Sequence, residues 1–233
     1  HRLFILKKKY FDIYSNYEQD FEDEWKNEEE DKKEDVPTTP TTPSTPSTPS
    51  VEENVRFIDL GAHAWAADAI NALAEDGIIR GTSENTFSPA SNITRADFAL
   101  LLVRAFELSS DNTENFADVA DSDYFAKELA IARNTGIVNG IGDNKYAPRN
   151  TITRQDMMTI VYRAMVKLGI KLKETTDTEM PDTDAVANYA EEAVNALIGA
   201  GLVNGKSGKI APTDYTTRAE VAVLIKRILD YTK

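Results

Sequence analysis

Three arginines occupy matching places in this chain of 233 residues: Arg95, Arg154 and Arg218, 59 and 64 residues apart. Each follows a threonine (Thr94, Thr153, Thr217) and stands two positions before an acid (Asp97, Asp156, Glu220). Threonine and acid form a capping-box pattern, which predicts a helix start. The arginine does not fit that account, because a cation in the first helical turn opposes the macrodipole by roughly 0.3–1 kcal/mol. Its threefold return has two open explanations. Either the guanidinium pairs with a carboxylate, or it joins the helix N-terminus in holding an external anion.

Other side chains keep the same step. Asp59, Asp118 and Asp182 recur in phase, which a single asymmetric catalytic site does not predict; capping or turn stabilisation at a first helix is the structural alternative. Trp65, Tyr124 and Tyr189 each stand 16 residues before a glycine, Gly81, Gly140 or Gly205. They are either core residues or the aromatic walls of a sugar pocket. Catalytic chemistry finds little support. The histidines are His1 and His63, and His63 reads as a surface residue at a helix N-terminus. No Gly-x-Ser-x-Gly occurs. Asp121-Ser122-Asp123 and Asp143-Asn144 lack the register of a calcium loop, and the chain has no cysteine for a thiolate site. No metal, cofactor or catalytic residue is therefore assigned. A net charge of −13 argues against general nucleic-acid binding, and no apolar run approaches a membrane span. Asn92-Ile93-Thr94 is a formal glycosylation sequon whose threonine serves better as an N-cap.

The elements that must position these residues are also threefold. Each arginine motif opens a helix with apolar residues at helical spacing, as in Phe98, Leu101, Leu102 and Ala105. Upstream of each lies a shorter helical pattern ending at Gly77, Gly136 or Gly201, then a turn-rich loop with Pro89, Pro148 or Pro212 six residues before the arginine. The unit is helix, glycine turn, loop, helix, and its recurrence marks tandem repeats at 51–110, 111–173 and 174–233. One unit has a marginal core, whereas three around a common centre bury enough. The expected fold is all-α, a pseudo-threefold bundle of three two-helix repeats. Residues 37–50 are an uncharged Pro/Thr/Ser tract of the kind found in extended stalks, and 1–36 form a charged segment. That segment is either one amphipathic helix or the tail of an upstream region. A chain that begins at His1 reads as a fragment or processed piece.

Taken together, the repeats resemble S-layer homology domains. The resemblance rests on the aromatic-x-Asp start at 57–59 and 116–118 (Met180-Pro181-Asp182 in the third copy) and on Gly-Ile-Ile-Arg-Gly at 77–81 with its counterparts at 136–140 and 201–205. It rests also on the Phe/Tyr-x-Pro step at 87–89 and 146–148 and on Thr-Arg-Ala-Asp at 94–97, with counterparts at 153–156 and 217–220. It covers about 51–233. The third copy departs from the pattern, with Met180 and Ile210 for aromatics, Thr216 for an apolar residue, and a loop one residue shorter. The resemblance implies a non-catalytic module that holds a secreted protein on the bacterial cell surface by binding anionic secondary cell-wall polysaccharide, often bearing ketal-linked pyruvate. It implies sites in grooves between neighbouring repeats. Arg95, Arg154 and Arg218 would meet the anion there, with Asp59, Asp118, Asp182, the three aromatics and Gly81, Gly140 and Gly205 around them. The whole protein would be a monomeric anchor, the C-terminal anchor of a secreted polysaccharide hydrolase, or a subunit of an S-layer lattice.

Overall fold

Six helices carry the chain in the computed structural model, which describes residues 56–173 and 180–232. The expectations for 1–36 and 37–50 lie outside the described residues. The helices are α1 (Ala64–Glu75), α2 (Arg95–Ala105), α3 (Ala126–Asn134), α4 (Arg154–Lys167), α5 (Glu191–Gly199) and α6 (Arg218–Tyr231). The all-α expectation holds, with two helices in each repeat.

Thr94, Thr153 and Thr217 are N-caps, each accepting from the N–H of the acid three residues on. The reciprocal half of the capping box closes only in α6, where Glu220 accepts from the Thr217 N–H at 2.8 Å. Asp97 and Asp156 are one methylene shorter and do not reach the cap's backbone N–H, so the three capping-box patterns give one complete box; Asp97 accepts from the Thr94 hydroxyl instead. At the other end of the short helices, Gly77, Gly136 and Gly201 adopt φ of 68°, 77° and 69°, a left-handed geometry that glycine takes without strain.

The packing partners are not the two helices of one repeat. α3 packs on α2, α5 on α4, and α1 closes the ring on α6, while α2 also touches α4 and α6. Each first helix therefore docks Leu and Ile side chains, Ile70 and Leu73 in α1 and Leu197 in α5, on the second helix of the preceding repeat. At the centre, three backbone bonds form a closed ring. Ile93 donates to Thr216 O (3.0 Å), Thr216 to Ile152 O (3.2 Å) and Ile152 to Ile93 O (3.1 Å).

The proline loops complete this interleaving. The first two N–H groups of α2 donate to Asn150 O and Pro148 O, those of α4 to Asp214 O and Pro212 O, and those of α6 to Ser91 O and Pro89 O. Each helix start is thus capped by the loop of the next repeat. With the third N–H bound by the threonine, the N-terminal donors are occupied inside the fold. The expectation of free helix N–H groups beside the arginine is overturned.

Candidate ligand-binding grooves

Each arginine motif places its side chain away from its own helix and into a groove built on the next one. The Arg95 groove is lined by α4 through Asp156, Thr159, Ile160 and Arg163, by the Gly140 loop, and by Tyr189; its volume is 440 Å³. The Arg154 groove runs along α6, with Glu220, Leu224 and Arg227, the Gly205 loop and Trp65, and holds 260 Å³. The Arg218 groove runs along α2, with Asp97, Leu101 and Arg104, the Gly81 loop and Tyr124, and holds 540 Å³. Every groove draws its arginine, its floor and its aromatic from three different repeats, not from two neighbours. The smallest is the one built on the third copy's loop. There the turn closes from Lys206 to Lys209, one residue tighter than Thr82 to Thr86 or Ile141 to Lys145.

The arginines are not equivalent. Arg95 donates Nη1 to Asp156 at 3.1 Å and Nε to Tyr146 O at 3.0 Å, and its guanidinium lies over the Tyr146 ring. Arg154, with its side chain 5% exposed, donates to Glu220 at 3.3 Å and to Ile210 O at 2.9 Å. Carboxylate pairing thus accounts for two of the three. Arg218 lies over Phe87 and donates to Phe87 O and Arg80 O, but has no carboxylate within 4 Å among the described residues. Burial pulls the Arg218 guanidinium below its ordinary range, opposed by the field of Asp97. The acid in the matching place, Asp97, instead accepts from Tyr124 Oη (2.6 Å) and Thr94 Oγ1 (2.7 Å).

The aromatics are not core residues: Trp65, Tyr124 and Tyr189 are 60%, 70% and 55% exposed. Their rings form groove walls while the tyrosine hydroxyls rest on the floor, Tyr189 donating to Asp156 at 2.7 Å. Burial first, then these hydrogen bonds, push both tyrosines up to about 12. The shorter acids of the first two copies keep an oxygen for a tyrosine hydroxyl. Glu220 spends its oxygens on the cap and on Arg154, and faces a tryptophan that needs no acceptor.

Asp59, Asp118 and Asp182 line none of these three grooves. Each clamps the proline loop through two backbone N–H groups: Phe87 and Ser88, Tyr146 and Ala147, Ile210 and Ala211, all at 2.7–2.9 Å. The second residue of each pair has φ near 50° (57°, 54° and 48°), so the clamp holds a strained turn. Turn stabilisation fits these bonds; capping of the first helix does not. Burial raises the Asp59 and Asp182 carboxyls, but the loop N–H bonds outweigh it and hold both below the ordinary value. Gly81, Gly140 and Gly205 do line the grooves, where no other residue fits. A Cβ at Gly140 would stand 2.5 Å from Lys145 O, one at Gly205 2.7 Å from Lys209 O, and one at Gly81 would collide with Ser83 O and Thr86 O.

The sequence reading missed a second row of arginines. Arg104, Arg163 and Arg227 each stand nine residues after a motif arginine, and the equal spacing was the available signal. Each lines the groove of its own helix, opposite the motif arginine of another repeat.

An interleaved threefold bundle with three arginine-lined, aromatic-walled surface grooves is the architecture of a tandem-repeat module. The family model for the S-layer homology domain matches residues 56–99, 115–158 and 179–222. The chain belongs to that family. It is similar to "Exoglucanase XynX" of Acetivibrio thermocellus, 30% identical over 77% of this chain and 17% of that protein. It is similar to "Amylopullulanase" of Thermoanaerobacterium thermosulfurigenes (31%, over 71% of this chain and 9% of that protein) and to "S-layer protein sap" of Bacillus anthracis (29%, over 73% and 21%). The chain therefore spans about a fifth or less of these relatives. S-layer homology domains are non-catalytic anchors that bind cell-wall polysaccharide and attach surface proteins, S-layer proteins and glycoside hydrolases among them, to the wall. Family and relatives place the chain in a secreted, cell-surface protein.

Proposed function

We propose that the three grooves bind an anionic secondary cell-wall polysaccharide, with ketal-linked pyruvate as the carboxylate the arginines receive. The observation that carries this is the recurrence, in every groove, of at least two arginines together with an exposed aromatic. A sugar stacks its apolar face on such a ring, and a guanidinium reads a carboxylate by its planar fork. Arg95, Arg154 and Arg218 supply positive walls, and Gly81, Gly140 and Gly205 keep the loop backbone close. The net charge of −13 does not oppose this, because a cleft focuses its local potential.

The chain then acts as a monomeric anchor. For the whole protein, a secreted polysaccharide hydrolase and an S-layer lattice subunit both remain consistent with relatives of each kind. The test is sedimentation with purified wall sacculi before and after the non-peptidoglycan polymer is stripped. Binding is expected before stripping and lost after it. Undiminished binding to stripped sacculi overturns the reading. So does undiminished binding by a folded variant with Arg95, Arg154 and Arg218 all changed to alanine.

A further inference from the structure

The two arginine rows divide their work unevenly. In the Arg95 groove, Arg95 is neutralised by Asp156, its side chain 11% exposed, while Arg163, which lines the same groove, has no carboxylate within 4 Å and no hydrogen bond among the described residues. In the Arg154 groove, Arg154 pairs with Glu220, while the exposed Arg227 makes only a 3.4 Å bond to Leu202 O. The Arg218 groove is reversed: Arg104 pairs with Glu128 at 3.1 Å, and Arg218, like the exposed Arg80 on the Gly81 loop, has no carboxylate within 4 Å among the described residues.

The cause is legible in the chain. Glu128 lies four residues after the groove aromatic Tyr124 and reaches Arg104 across the α2–α3 contact. The residues four after Tyr189 and Trp65 are Ala193 and Ala69, so neither Arg163 nor Arg227 meets an acid there. Every groove thereby keeps at least one uncompensated guanidinium: Arg163 and Arg227 from the second row, and in the third groove the motif's Arg218, with Arg80 of the Gly81 loop beside it.

Resting on the reading that the grooves bind an anionic glycan, we propose that the carboxylate is received by Arg163 in the Arg95 groove, by Arg227 in the Arg154 groove and by Arg218 in the third. Arg95 and Arg154 are positioning residues that brace one repeat against the next. A guanidinium already held by an internal carboxylate and a backbone carbonyl has fewer donors and less field to offer; the open one offers both.

The experiment uses the full chain and two probes: a methyl hexoside carrying ketal-linked pyruvate, and the same hexoside without it. Binding is followed groove by groove through the arginine Nε–H NMR signals, with thermal melting alongside. Arg163→Gln is expected to weaken binding of the carboxylated probe in its groove about tenfold or more, the loss of a charge-assisted bond, with little change in melting. Arg163→Lys restores part of it. Arg95→Gln is expected to lower the melting temperature and, while folded, to leave that affinity within about threefold. Two charge edits leave every arginine in place. Ala193→Glu should close the Arg95 groove to the probe, and Glu128→Ala should free Arg104 and tighten binding in the Arg218 groove. Wild-type affinity in Arg163→Gln and Arg227→Gln, with binding lost in folded Arg95→Gln, overturns the division and leaves the glycan reading standing. Failure of the wild-type chain to prefer the carboxylated probe overturns both.

Discussion

At the residue scale, the departures of the third repeat have separate physical consequences. Thr216 replaces the isoleucines Ile93 and Ile152 in the central ring, fully buried, and its Oγ1 has no hydrogen-bond partner. A buried hydroxyl left unsatisfied costs about 1–3 kcal/mol. Thr216→Val keeps the shape and removes the hydroxyl, so it should stabilise the fold by about 1 kcal/mol. The check is a higher urea midpoint at unchanged m, and a lower midpoint would contradict the account. Tyr124 and Tyr189 yield a pH prediction. Their folded pKa is raised from 10.0 to about 12, so their contribution to stability is complete below pH 10 and is lost as pH rises towards 12. Ultraviolet titration should show Tyr124 and Tyr189 ionising late, alongside the buried Tyr146 and the Glu192-bonded Tyr162, and Asp97→Asn should bring Tyr124 down. The first arginine row, its threonine caps and the aromatics were legible because each is a residue type at a fixed phase. The second row was equally periodic, but an arginine late in a helix looks like an ordinary surface charge until a groove is seen beneath it. The ion pairs were not legible at all, because their partners lie 61 and 66 residues away in the chain.

At the scale of elements, the proline loops do the joining, and glycine and aspartate set their shape. A side chain at Gly140 meets Lys145 O at 2.5 Å, a backbone atom that cannot swing aside. Gly140→Ala should therefore cost more than the roughly 1 kcal/mol of an ordinary glycine exchange and deform the Arg95 groove together with the fold. Thermal melting and probe binding should fall together. The aspartate clamps add an acid dependence. Asp59 and Asp182 have carboxyls held below the ordinary value of 3.8. Their stabilisation is present above that value and is lost as pH falls through the depressed one. Asp59→Asn keeps one acceptor for the loop N–H groups and should flatten the acid limb of the stability profile. An unchanged acid limb in both Asp59→Asn and Asp182→Asn would remove these clamps from the account. The sequence showed that these aspartates belonged to the repeat. It did not show their target, because the strained turn they hold lies 28 residues further on.

At the scale of the whole molecule, periodicity revealed three copies and the apolar face of each helix, but not which faces meet. Matching faces within one repeat and between successive repeats satisfy the same hydrophobic pattern, and only the loop connections choose between them. The chosen arrangement is cyclic, with α1 on α6, α3 on α2 and α5 on α4. No repeat keeps its own packing partner, and every second helix shares its cap, its own threonine binding the third N–H and the loop of the next copy the first two. A fragment of residues 51–110 would hold α1 without α6 and α2 without α3 or the loop at Pro148. It would expose Ile70, Leu73 and Leu102, each worth about 1.5–3 kcal/mol when buried. Such a fragment should show no cooperative melting transition by circular dichroism, whereas 51–233 should melt in one step seen alike by helix signal and Trp65 fluorescence. Destabilising either end of the ring should move that single transition. A substitution in α6 such as Leu224→Ala, costing about 2–5 kcal/mol, should lower the midpoint reported by Trp65 in the first repeat as much as that reported by total helicity. A sharp independent transition in 51–110, or a Trp65 signal indifferent to Leu224→Ala, would show that the repeats fold as separate units joined in a row.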